Sequence, residues 1–572
     1  MPTTFRRSGA SATVLGAVLL LTACSGGDKA VVDEITVDAA SLELSGADEK
    51  LLGQHFVVAP RAGDEARTLE ALAALGLESV TDGRTIDGST VTYTDWRAVD
   101  GSSEVTAERV VLSGVHMGES GATFDAVQIS DMKAVDFEDV EKLDEQGELQ
   151  TERRQTVDAR LSELVLISPT PELAMDISEL LRGVDDASDE TVGDITRDMD
   201  FRAMRVADFR ADVSDETADG TVSVGQVVIG KNESDEQLDM VVESVDFSWT
   251  LGDAAGRAAG TTTLKMDGMT ALGVNTASLE EASGQGGPGG ALAGLMNPGA
   301  NLPYRSVDLG TVAYQSNQFD IAMGGFEATS EGSDNVITMR SALQPMELTI
   351  KDATGTPLAP HMAVLEANGL STLTLKGSVT SEVDRRADRV RYTDAQFEID
   401  GGLRADCDYS IMGTMAAAKA LRDSGVEQPD FSTAQTNEDI SRLIEQMEAY
   451  SEAQNAANAN IKVESGTCVI QDVEANSLVT RGYAVASEVM GRPVAVLKAS
   501  AQGLIAMTSL AAPDPYQRGM ADTVGSGLIE FLGEPGKTMT ITLAPSEPVP
   551  MSALRGDNSV EFDALGISVT VE

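Results

Sequence analysis

The sequence predicts a mainly β, α+β fold: an antiparallel, strand-rich body, elongated or open and sandwich-like, with a few inserted helices. Three observations carry this. Short runs alternate apolar and polar residues at the strand period, as in Met346, Leu348 and Ile350, in Met539, Ile541 and Leu543, and in Ile567, Val569 and Val571. Turn pairs such as Asp100-Gly101, Ser113-Gly114 and Asp267-Gly268 punctuate 90–167 and 199–275 roughly every 8–12 residues. One-sided alternation joined by tight turns belongs to antiparallel sheet with one wet face.

The helices announce themselves by their ends. A short helix is expected over 64–75, stopped by Gly76. Thr170-Pro171 opens another, with Leu173, Ile177, Leu180 and Leu181 on one face and Gly183 after it. Met412 to Arg422 is alanine-rich and ends at Gly425, and 437–456 places Ile440, Leu443, Ile444, Met447 and Tyr450 at helical spacing. Asp514-Pro515 starts a last helix toward Leu532, weakened by Gly519, Gly525 and Gly527. The Gly/Pro-rich stretch 283–303 reads as a linker or loop. It separates an N-terminal β-rich domain, 24–282, from a C-terminal one, 304–572, with a helical insert at 412–456. Within the first, Ala134-Val-Asp-Phe137, Val206-Ala-Asp-Phe209 and Ser244-Val-Asp-Phe247 suggest similar strands with an aromatic inside and an Asp outside.

Ahead of these elements stands a basic Arg6-Arg7 followed by an apolar run from Ala10, too short to be a settled membrane span and typical of a secretory signal over 1–23. It ends in Leu21-Thr22-Ala23-Cys24, which resembles the lipobox of bacterial lipoproteins. That resemblance implies cleavage before Cys24 and diacylglyceryl transfer to its thiol, with several acyl chains making the anchoring permanent. Ser25, where such proteins carry Asp for inner-membrane retention, implies the outer membrane, facing the periplasm or the cell surface. The remaining thiols, Cys407 and Cys468, are an even pair in an oxidising compartment and flank the helical insert. A disulfide between them would stabilise the fold by roughly 4 kcal/mol.

Composition narrows the partners. With 41 basic against 92 acidic residues the net charge is −51, which argues strongly against a nucleic-acid partner and equally against electrostatic docking on anionic lipid headgroups. An apolar content of 42% excludes disorder as the whole account. His55, His116 and His361 are scattered, and neither a Gly-x-Ser-x-Gly elbow nor a His-Glu-x-x-His helix occurs. Gly284-x-Gly286-x-x-Gly289 has no strand before it, and Gly536-Lys537-Thr538 lacks the partner glycine of a phosphate loop, since 531 is Phe. Acidic runs at Asp185–Asp200 and Asp212–Asp219 do not have the spacing of a calcium loop. Only two tryptophans, Trp96 and Trp249, are available for stacking on sugar.

No catalytic residue, cofactor or metal ligand is therefore expected. The expected function is that of an outer-membrane-anchored periplasmic lipoprotein, a non-enzymatic envelope scaffold or lipid-handling protein whose partners are the membrane, an envelope protein or a lipid. Flexible thioethers such as Met412, Met415 and Met520 would suit a lipid groove. The alternatives are a secreted hydrolase using paired carboxylates and a surface-exposed adhesive module. The long run of short antiparallel strands is similar to the strand-rich periplasmic bodies of AsmA-type and YdgA-type envelope proteins, although those hold the membrane by an N-terminal helix.

Overall fold

The computed structural model of the chain describes residues 56, 61, 63–100, 103–143, 149–182, 201–214, 218–231, 237–252, 258–275, 304–333, 335–351, 359–426, 437–511, 515–555 and 560–572. It is strand-rich and antiparallel. Two compact units divide it, Met1–Ala271 with Leu309–Ser316, and Leu272–Asp308 with Asn317–Glu572. Cys24, His55, the acidic run 185–200 and the Gly/Pro-rich segment 283–303 lie outside the described residues.

In the first unit, successive hairpins lay the strands side by side in nearly sequential order. Thr90–Asp100 pairs with Ser103–Ser113, which pairs with Ala126–Leu143, and that with Leu149–Ile167. The sheet continues through Phe209–Ser214, Ala218–Val224, Val245–Gly252 and Ala258–Met266 to Val312–Gln315. Asp64 caps the helix Glu65–Ala74 by accepting from Arg67 N–H at 3.0 Å. Thr170 Oγ1 accepts from Leu173 N–H at 3.3 Å where Pro171–Arg182 begins. The buried Trp96 ties that helix to the sheet, its indole N–H donating to Leu181 O at 3.1 Å.

Alternation in this sheet is interrupted along one line. Asp95, Asp131 and Asp208 take φ of 53°, 49° and 53°, the left-handed region that Asp tolerates better than most side chains. The register sets them on one row, with Glu108 and Ser162 between, because pairing resumes unshifted on both sides. The Ser162 hydroxyl bridges the row, donating to Ala207 O at 2.8 Å and lying 3.1 Å from Asp208 Oδ2. Tyr93 and Trp96, three apart, are consequently both buried, although an uninterrupted strand would point them to opposite faces.

The second unit is a meander from Val336–Ile350 through Thr372–Asp384, Arg389–Ile399, Leu403–Met412 and Lys462–Asp472 to Thr538–Leu543 and Ile567–Val571. Ile337, Val383, Val390, Ile411, Val463 and Val549 face one another in unbroken cross-strand register. With Tyr516, Ala553 and Leu565 above them they form its core. Each buried aliphatic there contributes about 1.5–3 kcal/mol.

Two helical excursions leave this meander. The first is Thr414–Asp423 and Asn437–Asn458, between paired strands. The second, Leu478–Met490, Val494–Ala511 and 515–533, is largely absent from the sequence expectation. Gly519 and Gly527 do not break the last helix, which instead passes through a π-turn at Ala521–Gly525. A side chain at Gly519 would strike the Phe562 ring and one at Gly527 would strike Val569, so these glycines permit close packing onto the sheet.

Cys407 and Cys468 stand directly opposite in adjacent strands, with Cα atoms 4.0 Å apart and sulfurs at disulfide distance. One expectation needs correction. Of the recurrent Asp-Phe pairs, Asp208 is exposed beside buried Phe209, but Asp136 is itself buried, only 3% exposed, with the Ser103 hydroxyl donating to it at 3.1 Å. Alternation with buried Met132 and Ala134 sets that carboxylate on the buried face, and the β-bulge comes only after it, between Asp136 and Phe137.

Candidate functional site

The first unit carries an apolar stripe across nine strands. Strand register aligns Ala98, Val105, Ala134, Ala159, Ala211, Val222, Phe247, Leu264 and Tyr314 in one row. A second apolar row, Phe209, Val224, Val245, Met266 and Val312, runs beside it on the same face. At about 4.8 Å per strand, eight intervals give a stripe of roughly 38 Å. Its middle is sealed: Ala134, Ala159 and Ala211 are at most 2% exposed. From Val222 and Val245 to Tyr314 the same rows are only half-buried. There the Phe247 and Trp249 rings lie parallel, centroids 6.2 Å apart, with Trp249 resting on Gly220, where a side chain would collide with it. The helices of this unit pack around the short strands at 116–117 and 122–123 and the Trp96 end.

The second unit holds a polar groove of about 760 Å³ on the sheet face opposite its core. Cross-strand register assembles its floor. Lys376, Glu398, Arg404 and Gln471 form one row, and Ala342, Ser378, Gln396, Asp406 and Val469 another. Glu398 is clasped by Lys376 at 3.0 Å and Arg404 at 2.9 Å. The hydrogen bond from Lys376 above all holds its carboxyl below the usual range.

The same pattern extends beyond the groove. Glu104, Asp158, Asp212, Glu398 and Glu464 are displaced downward, each chiefly by a hydrogen bond from Arg or Lys. A general acid in glycoside hydrolysis needs the opposite displacement.

The sequence-named residues disperse. His116 Nδ1 faces Gly114 O at 2.7 Å, and His361 precedes the helix Met362–Ala367. Asp212 is bound by Arg210, and Asp219 accepts from Ser214 at 2.6 Å. Gly536 N–H donates to Asp472 at 3.1 Å, and Lys537 pairs with Glu530 at 3.2 Å. Met520 packs on the core cluster, while Met412 and Met415 are half-buried. Among the described residues no three His, Cys, Asp or Glu side chains are placed to hold a metal ion. Reading strands alone missed the stripe, because a row across a sheet depends on which residues pair between strands, and the Asp interruptions change the phase of alternation along a strand while leaving that pairing in register.

A family model described as "Uncharacterized protein" matches residues 397–572, which include both helical excursions and the later strands of the second unit. No curated protein matches the chain.

Proposed function

We propose that this chain is a lipid-anchored envelope protein, held in the outer membrane through Cys24, that binds lipid along the apolar stripe and catalyses nothing. The observation that carries the reading is the stripe itself: apolar residues stay in register over nine strands, and the half toward Tyr314 is not fully buried. An acyl chain suits it, since such a ligand needs length and apolar contact rather than directed hydrogen bonds. Alanines make part of the floor low, and Phe247, Trp249 and Met266 supply wide contact where it is half-open. Carboxyls held ionised by cationic neighbours favour binding over acid catalysis.

The test is to purify the protein from its own envelope and identify what co-purifies by lipid and protein mass spectrometry. A reproducible lipid, lost in Phe247→Asp and Leu264→Asp, is expected. Absence of any lipid, or turnover of an envelope polymer abolished by changing one Asp or Glu, would overturn the reading. A stoichiometric protein partner whose binding needs Lys376 and Arg404 would select the scaffold role, with the polar groove as its seat. Mass spectrometry of the mature N-terminus should find acyl chains on Cys24, and an unmodified terminus further downstream removes the anchor from the proposal.

A further inference from the structure

The helices Leu478–Met490 and Val494–Ala511 form a hairpin that buries little of its own apolar surface. The first has no buried residue. In the second, Leu497 alone is buried among the side chains described. Met490, Leu504 and Met507 are 61–62% exposed, and Val489 and Val496 are exposed beside them. Val496, Leu504 and Met507 recur at helical spacing on one side of the second helix, and an exposed apolar face of this kind marks a contact surface.

Charge indicates what contacts it. In a chain with 92 acids and 41 bases, the segment 478–511 contains one acid, Glu488, and three bases, Arg481, Arg492 and Lys498. Lys498 is the one charged residue of its helix, and it turns inward, donating to Gly533 O at 2.6 Å and lying 5.3 Å from the centre of the Tyr483 ring. Arg481 is held by Asp400 at 2.5 Å. Arg492 stands exposed at the turn beside Met490. The outward face is thus uncharged along the second helix, with a base at its tip. A second copy of this chain would bring another −51 charges to the contact. A phospholipid surface instead offers an apolar layer beneath headgroups that accept an arginine. No helix among the described residues is long and apolar enough to cross a membrane, so the hairpin would lie on the bilayer rather than span it.

We propose that this hairpin docks on a phospholipid bilayer, with Met490, Leu504 and Met507 in the headgroup–acyl boundary and Arg492 among the headgroups. The contact is separate from the apolar stripe and from the Cys24 anchor. The test uses the full chain carrying Cys24→Ser, which cannot be acylated, with vesicles of phosphatidylcholine alone or mixed with phosphatidylglycerol. Flotation with both vesicles is expected, weaker with the anionic mixture because the chain carries a net charge of −51. Met490→Glu, Leu504→Glu and Met507→Glu together should lower the bound fraction by about tenfold or more. Arg492→Glu should lower flotation on the anionic mixture further and leave that on phosphatidylcholine nearly unchanged. Leu504→Trp supplies a reporter should the triple variant misfold, and its emission should move to shorter wavelength with vesicles. The stripe is tested separately, by the lipid that co-purifies with Phe247→Asp rather than by flotation. No flotation by the Cys24→Ser chain, or no emission shift, overturns the proposal. So does a wild-type dimer that the triple variant splits without any vesicle binding, since the face would then belong to a second copy.

Discussion

Removing the Asp472 carboxylate should loosen the second unit more than any exposed charge would. Asp472 is 0% exposed. Its Oδ2 accepts from the Ser477 hydroxyl at 2.6 Å and from Gly536 N–H at 3.1 Å, and its Oδ1 accepts from Val479 N–H at 3.3 Å. It thereby fixes the end of strand Lys462–Asp472, the first turn of helix Leu478–Met490 and the loop leading into strand Thr538–Leu543. Asp472→Ala leaves the buried Ser477 hydroxyl without its acceptor and releases the N–H groups of half-buried Val479 and exposed Gly536. At about 1.5–3 kcal/mol for a hydrogen bond to a charged group, and with Ser477 still capping Thr480 N–H at 2.9 Å, the expected loss is about 3–5 kcal/mol. Asp472→Asn can keep its oxygen toward Ser477 and Gly536, turning its amide against Val479 N–H, and should lose only about 1–2 kcal/mol. Hydrogen exchange of the amides in 462–472 measures both. Trp96 and Trp249 belong to the first unit, so tryptophan fluorescence should stay unchanged and serves as the control. Protection in Asp472→Ala within about 0.5 kcal/mol of wild type, or equal losses in the two variants, would refute the reasoning.

Reducing Cys407–Cys468, whose residues are 61 apart in sequence, should cost about 4 kcal/mol in the chain-entropy model; denaturant titration with and without reductant reads it. Asp388 stands at φ 47° and accepts from Met415 N–H at 2.9 Å and Ala416 N–H at 3.0 Å, capping a helix whose own N-cap is Gly413. Asp388→Ala loses the cap and strains the backbone, about 2 kcal/mol in all, whereas Asp388→Asn should lose under about 1 kcal/mol, both by denaturant titration. The Glu464 carboxyl is held low first by its hydrogen bond from Arg389, and Ser410 also donates to it at 2.6 Å. A depressed carboxyl adds stability that is fully present above its unfolded value, near pH 4.3, and is lost as pH falls through the folded one. Glu464→Gln should therefore be less stable than wild type at neutral pH, and acid titration should find the gap closing below about pH 4; a gap independent of pH contradicts this.

Some of the architecture was legible because local chemistry decides it. Pro171 after Thr170 begins a helix whatever surrounds it, and the alternation of Met539, Ile541 and Leu543 matches the strand seen there. Helices 478–511 were not legible. The apolar residues of 494–511 occur on every side, so no stripe of helical period stands out there, and Gly482 and Pro493 interrupt the pattern of the pair. The stripe was hidden for a different reason. Each left-handed Asp moves the buried positions from spacing two to spacing three, as at Tyr93 and Trp96, so the alternation counted along the strand loses its phase at that point.

The unshifted register on both sides of the Asp95–Asp131–Asp208 line has a consequence for how such a chain can lengthen. Five strands cross the line at aligned positions, three of them with a left-handed Asp, and each pairs only with its neighbours, as repeats do in a solenoid. A duplicated hairpin carrying its own interrupted strands would therefore meet matching edges and extend the apolar rows by about 10 Å without repacking those already present. Size in this fold is a matter of copy number rather than of redesign, and the damage done by a faulty hairpin stays with the strands beside it.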